Sequence, residues 1–338
     1  MRCECALRPV RGAGGAATKP IQARSHSVIQ PRFELAFLAP RYWGHWIVML
    51  MIAACIILPR RLVLKVGSAL GDLFYRSNEK RRKIAEINVQ LCFPELSVDQ
   101  RQRLIRQHYR FYGRALIDYG VLWWGSTARI DSLCTVTGKD ILKNLEKAGR
   151  PVLLITPHTV GIDMGGALIA RLICGVSMMK RARDPLLTWR LWRGRCRFDA
   201  IILMRDQGLR RLVKAIRGGR IAYLIPDEDL GDANSLFAPF FDIPTATVPV
   251  VGWLAKLTDA AVVPVFTRML DNGRYVFDIK PPLSGFPLGN EQSDAATVNS
   301  VFEAGVQMVQ NTSWYRHITL RLTPVSKYEM SYFQLEPR

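Results

Sequence analysis

Residues 151–163 read PVLLITPHTVGID, and the fold class follows from this stretch. From Pro151 to Thr156 runs a short apolar segment closed by Pro157, as in a strand buried on both faces. From Gly161 to Cys174 the pattern turns helical. A buried strand feeding directly into a helix is the repeating unit of an α/β sheet flanked by helices. Open sheets of that kind place their sites beyond strand ends, where loops leave a crevice. His158 lies on this connection and Asp163 near the first turn of the helix.

The same alternation continues on both sides. Downstream, Leu209–Arg217 is amphipathic and helical, Ile221–Ile225 is a strand ended by Pro226, and Pro249–Lys256 is helical. Ala261–Phe266 reads as a strand, and Tyr275–Lys280 alternates as an edge strand would. Upstream, residues 98–125 carry apolar residues at helical spacing after a start signal at Ser97 or Asp99. No repeat or linker interrupts residues 60–325, which predicts one domain there and a short tail over 326–338.

Ahead of that domain, Tyr42–Leu58 reads YWGHWIVMLMIAACIIL, 17 residues without a polar face. A bilayer span takes roughly 20. Tyr42, Trp43 and Trp46 cluster at one end as interfacial aromatics do, and Arg60 and Arg61 close the other. Residues 33–59 therefore read as a membrane anchor, spanning or partly inserted; length alone also allows a buried core helix. The basic run from Arg60 to Lys83 suits anionic lipid on the cytoplasmic side. A full span would then leave the Arg-rich, acid-poor arm of residues 1–32 outside, a conflict that partial insertion removes. The arm has no apolar periodicity and reads as disordered.

The chain has 338 residues and a formal charge of +19, which attracts polyanions: nucleic acid, anionic lipid or an acidic protein. Its seven cysteines are scattered, apart from Cys3 and Cys5, and fit unpaired thiols in a reducing compartment. Nothing completes a metal site, and no phosphate-cradling glycine loop or serine-nucleophile elbow is present.

The spacing of His158 and Asp163 is open to two readings. An Asp folded back onto the imidazole would fix its tautomer and leave the other nitrogen to take a proton from a hydroxyl. Alternatively, a lone His stands beside a helix-capping Asp. The acidic turn Asp227-Glu228-Asp229 follows a strand and suits a hard cation, a solvated turn, or the positioning of acceptor groups and arginines. Phe237–Phe241 beyond it fits an acyl pocket or the core. Lys180, Arg181, Arg183, Arg190, Arg193, Arg195, Arg197 and Arg205 interleave with Trp189, Trp192 and Phe198. That pattern suits phosphate or carboxylate contacts, a nucleic-acid surface, or a solvated face.

Taken in order, these pieces resemble the late acyltransferases of bacterial lipid A synthesis, the lauroyl- and myristoyl-transferase group. The matching segments are FELAFLAPRYWGHW (33–46), NVQLCFPE (88–95), His158 to Asp163 as H-x4-D, RDQG (205–208), PDEDLG (226–231), Phe237–Phe241 and ATVP (246–249). Asp at the end of H-x4-D favours the myristoyl-type branch. The likeness covers about residues 33–325; residues 1–32 match nothing in it, and Trp314–Pro324 shifts the basic positions of the family pattern.

The resemblance implies a glycerolipid acyltransferase-like α/β fold, a mixed sheet flanked by helices with one N-terminal membrane-anchor helix. It implies an enzyme on the cytoplasmic face of the inner membrane that moves an acyl group from acyl-acyl carrier protein to a Kdo-bearing lipid A precursor. His158 would be the base and Asp163 its partner, with no acyl-enzyme. Lys180, Arg181, Arg183 and Arg205 would hold phosphate or sugar-acid groups, or the acidic carrier, and Asp227 and Asp229 would support the acceptor. No cofactor, metal or nucleic acid is implied. The rivals are a lyso-phospholipid or other lyso-lipid acyltransferase, whose N-H-x-S-x-x-D is missing here, and a non-catalytic binder of anionic membranes or nucleic acid.

Overall fold

The computed structural model describes residues 30–227 and 235–308. The arm up to residue 29, the Glu228–Asp229 part of the acidic turn, the Trp314–Pro324 stretch and the C-terminal tail lie outside the described residues.

Five helices come first: α1 (Trp43–Ala54), α2 (Arg60–Ser77), α3 (Glu79–Cys92), α4 (Val98–Trp124) and α5 (Thr127–Leu133). Strands and helices then alternate through β1 (Cys134–Thr137), α6 (Lys139–Lys147), β2 (Val152–Ile155), α7 (Ile162–Leu172), β3 (Gly175–Met179), α8 (Pro185–Arg195), β4 (Ile201–Met204), α9 (Arg210–Arg217) and β5 (Ile221–Leu224). A hairpin of β6 (Leu236–Phe240) and β7 (Ile243–Thr247) precedes α10 (Val250–Thr258), β8 (Ala261–Met269), β9 (Tyr275–Ile279) and α11 (Glu291–Met308).

Seven strands form one sheet in the order β1-β9-β8-β2-β5-β3-β4, parallel except for the antiparallel pair β8–β9. The class is thus α/β with a mixed sheet flanked by helices. The central β2 shows why its apolar run is continuous. Leu153 and Ile155 enter a core with residues of α3, α9, α10 and α11, while Val152 and Leu154 enter a second core with α5, α6 and α7. Strand residues alternate between faces, so burying both faces leaves no polar position. Emptying one such site, Leu154→Ala for example, costs about 2–5 kcal/mol.

One expectation needed revision. β9 is not an edge strand: it lies between β1 and β8, and the edges are β1 and β4. Its alternation arises because Tyr275, Phe277 and Ile279 face the core while Val276 and Asp278 are half-buried on the other face. Of the two readings of Phe237–Phe241, the core one holds for Ala238 and Phe240, which are fully buried in the hairpin strand β6. The five described cysteines are free thiols.

The helical layer is tied to the sheet from α4. Ser97 caps α4 in a capping box with Gln100, as the start signal predicted. Against it α2 packs at backbone distance, since a Cβ at Gly71 would sit 2.2 Å from the Tyr109 carbonyl oxygen. Buried Asp118 of α4 accepts from the Arg60 guanidinium and from the Tyr275 hydroxyl, linking α2, α4 and β9. Helix α1 lies across the C-terminal part of α4, where a Cβ at Gly120 would meet the Ile52 carbonyl oxygen at 2.6 Å. Among the described residues, Pro40–Ile57 is the one helical segment long and apolar enough to cross a membrane.

Candidate active site

β2 and β5 are parallel neighbours with Ile155 opposite Leu224. Each ends in the same way, as Ile155-Thr156-Pro157-His158 and Leu224-Ile225-Pro226-Asp227. The ladder carries one step further through Thr156 N–H to the Leu224 carbonyl at 3.0 Å. A proline then stops each strand because it offers no N–H to continue the ladder. Equal offsets from paired strand ends bring His158 and Asp227 side by side. His158 Nδ1 lies 2.6 Å from Asp227 Oδ1, and the His158 backbone N–H donates to Asp227 Oδ2 at 2.8 Å.

A carboxylate only accepts hydrogen bonds, so in this pair Nδ1 carries the proton, and in the neutral ring Nε2 is the nitrogen with the lone pair. The Asp227 side chain is 1% exposed and that of His158 is 40% exposed. The acid is out of reach of a substrate while the imidazole faces outward. That is the geometry of an oriented general base.

Asp163 is placed differently. It stands in the first turn of α7 and points behind the loop, where it accepts from Arg195 Nε at 2.7 Å and Nη2 at 3.2 Å and from the Tyr119 hydroxyl. No hydrogen bond joins Asp163 to His158; the imidazole acts on Asp163 only through its charge. Burial raises the Asp163 pKa, but the adjacent Arg195 charge and the bonds from Arg195 and Tyr119 outweigh it and hold the carboxyl below its ordinary range. The Asp163 charge in turn holds Arg195 more firmly protonated, while burial and that same charge push the Tyr119 hydroxyl well above its ordinary value. Asp163 therefore stays ionised, and its two partners keep their protons.

This ion pair forms the polar end of an apolar pocket with about 770 Å³ of empty space, part of it open to solvent. Ile162, Ala167, Val176, Leu191 and Ile202 line it, and it reaches Ile225, two residues before Asp227.

The basic residues separate into two groups. Lys180, Arg181 and Arg183 are exposed just beyond β3, and Arg205 follows β4, with Met179 opposite Met204 in the parallel pair. Strand order β2-β5-β3-β4 thus sets His158, Asp227, Lys180 and Arg205 along one rim of the sheet. At a strand spacing of ~4.8 Å the basic group begins roughly 10 Å from His158. Arg181 also pairs with Asp206 at 2.8 Å.

Arg190 and Arg195 of α8 turn inward instead. Arg195 meets Asp163, and the next residues bring Arg197 onto the carbonyls of Val121 and Leu122 at the end of α4. Arg190 is buried between Trp123 and Trp124, 4.6 and 4.2 Å from their ring centres. Burial, then the charges of Arg193 and Arg197, lower its pKa to about 10. The interleaving with aromatics is largely a cation–π packing arrangement, with Arg193 left exposed over Trp189.

Sequence reasoning placed Asp227 at the acceptor and overlooked it as the partner of His158. The usable signal was the matched pair T-P-H and I-P-D, each closing a strand. Tyr119 carried no such signal, since it meets Asp163 from 44 residues away on another helix.

Comparison with known proteins bears on this site. Residues 30–316 match the family model described as bacterial lipid A biosynthesis acyltransferase. The lipid A biosynthesis lauroyltransferase of Escherichia coli strain K12 is 28% identical over 296 residues, 87% of this chain and 96% of that protein. A lipid A biosynthesis acyltransferase of Haemophilus influenzae is 30% identical over 88% of this chain and 96% of its own length. The E. coli lipid A biosynthesis myristoyltransferase is 26% identical over 83% and 87%. These similar identities single out neither the lauroyl-type nor the myristoyl-type branch.

Proposed function

The chain belongs to the bacterial lipid A biosynthesis acyltransferase family, and from that premise we propose that it moves a fatty acyl group from acyl-acyl carrier protein to a hydroxyl of a Kdo-bearing lipid A precursor at the cytoplasmic face of the inner membrane. The observation that carries the catalytic part is the contact between exposed His158 and buried Asp227 at paired strand ends.

In the proposed reaction, His158 Nε2 takes the proton of the acceptor hydroxyl as its oxygen attacks the thioester carbonyl. The new C–O bond forms, the C–S bond breaks, and the proton passes from Nε2 to the departing thiolate, which leaves as the thiol. Asp227 keeps Nδ1 protonated and stabilises the imidazolium while it exists. Asp163 contributes a fixed negative charge near the imidazole and holds α7 and α8 together through Arg195. The apolar pocket beside Asp163 suits the acyl chain. Lys180, Arg181, Arg183 and Arg205 suit the phosphate or sugar-acid groups of the acceptor, or the acidic face of the carrier. A net charge of +19 favours encounters with both, because each is a polyanion.

The test is lipid A mass spectrometry in a Gram-negative host lacking its own late acyltransferases, expressing either this protein or its His158→Ala variant at equal abundance. An added acyl mass with the first and none with the second is expected. Absence of added mass from both, with both in the membrane, would reject lipid A as acceptor.

A further inference from the structure

We propose that α1 does not cross the bilayer but lies with one face of α2 in a single leaflet, so that residues 33–42 stay on the side carrying the active site. This rests on the membrane location proposed above and adds a topology to it.

Both ends of α1 are fastened to the same body. On the N-terminal side, Phe37 and Tyr42 are buried with Leu186 of α8, and the Phe33 ring lies 5.2 Å from that of Trp189. Trp46 Nε1–H donates to the Phe37 carbonyl at 2.8 Å, and His45 Nε2 lies 3.7 Å from Asp184, the cap of α8. On the C-terminal side the chain turns at Pro59 and Arg60 clasps buried Asp118. A spanning α1 would put residues 33–42 across the membrane from α8, stripping Phe37, Tyr42 and Leu186 of their cover.

The surface that remains suits lipid. Trp43, Ile47, Leu50 and Met51 of α1 are exposed, Leu50 by 67%. On α2, Val63, Gly67 and Gly71 are buried, Gly67 and Gly71 at backbone distance from α4, which leaves Leu62, Val66, Ala69 and Leu73 exposed as a stripe on the other side. Their spacing of i, i+4, i+7 and i+11 follows one helix face. Exposed Arg61, Lys65 and Arg76 flank it, placed for aliphatic stems to lie against acyl chains while the charges reach anionic headgroups. A charged border around an apolar stripe fits an interfacial helix of an anionic membrane.

The full chain carrying one epitope ahead of Met1 and another after Arg338 tests this by protease digestion of sealed membranes. Both epitopes should be cut in inside-out vesicles and both protected in spheroplasts. An N-terminal epitope cut only in spheroplasts would overturn the topology while leaving the membrane location intact. Recovery of the protein in the soluble fraction would remove the location and the topology together. For the stripe, Val66→Glu with Leu73→Glu should lower affinity for phosphatidylglycerol-containing vesicles at least tenfold with an unchanged unfolding temperature. Unchanged vesicle binding, or loss of self-association instead, would overturn the role given to α2.

Discussion

Asp227, beyond β5, holds an imidazole that is 40% exposed, whereas Asp163, in α7, holds the guanidinium of Arg195 and the hydroxyl of Tyr119 inside the protein. Both carboxylates are largely buried and both lie close to the same loop. Their partners differ in one property. An imidazole exchanges protons near neutrality, while a guanidinium does not. A carboxylate joined to the first can take part in moving a proton; one joined to the second fixes structure and field. The type of partner therefore separates a chemical role from an architectural one where burial and charge do not.

Loss of the base is the strongest test of that contrast. His158→Ala should slow acyl transfer by about 10²–10⁴-fold with little change in unfolding temperature, since the side chain is half out of the protein. Asp227→Asn should fall in the same range, because an amide donating to Nδ1 would leave the proton on Nε2. Transfer rates on purified enzyme decide it. A near-normal Asp227→Asn beside a dead but stably folded Asp163→Asn would reverse the two roles.

Asp163→Asn should act mainly on folding, because it leaves the partly buried Arg195 charge without its counterion. A loss of about 2–3 kcal/mol is expected in chemical denaturation, below that for a fully buried pair because solvent reaches Arg195, and adding Arg195→Met should recover much of it. If the single variant loses under about 1 kcal/mol, the ion pair is not the brace described here.

Asp72 extends the contrast to the surface and should give the smallest effect. Its bond from Arg110, and less so that from Arg106, lowers its pKa from 3.8 to about 2. A group depressed in the folded state stabilises above its unfolded value, so the contribution is complete above roughly pH 4 and disappears as pH falls toward 2. Nearly two units correspond to about 2.5 kcal/mol in the limit. Both arginines are over 40% exposed, and solvent screening brings the expected loss for Asp72→Asn to about 1 kcal/mol. Urea denaturation at pH 7 and pH 2.5 should show that difference in full at the first and most of it lost at the second.

What could be read from the sequence follows the range of the interactions. β2 and β5 were legible because four apolar residues and a proline are a local signal. β1, β3 and β4 were not: Cys134–Thr137 has alternating exposure at an edge, and Gly175–Met179 includes glycine and serine. The rim position of His158 was legible from its strand, but its partner depended on which strand lies alongside. That pairing joins residues 69 apart. Arg195 was read as one member of a basic patch, since nothing local distinguishes it from Arg193, which stays exposed two residues earlier. The helical phase and a carboxylate 32 residues away make the difference.

The double hold of Asp227 on His158, at the ring and at the main-chain N–H, bears on the order of events in a turnover. A base so tethered is no swinging arm. Collecting a proton at one station and delivering it at another would require releasing both bonds. In the proposed transfer, hydroxyl and departing thiol must therefore meet the same nitrogen from the same side within one occupancy. Donor and acceptor have to be present together, as a ternary complex with sequential kinetics, and a lone donor finds a base with nothing to deprotonate but water.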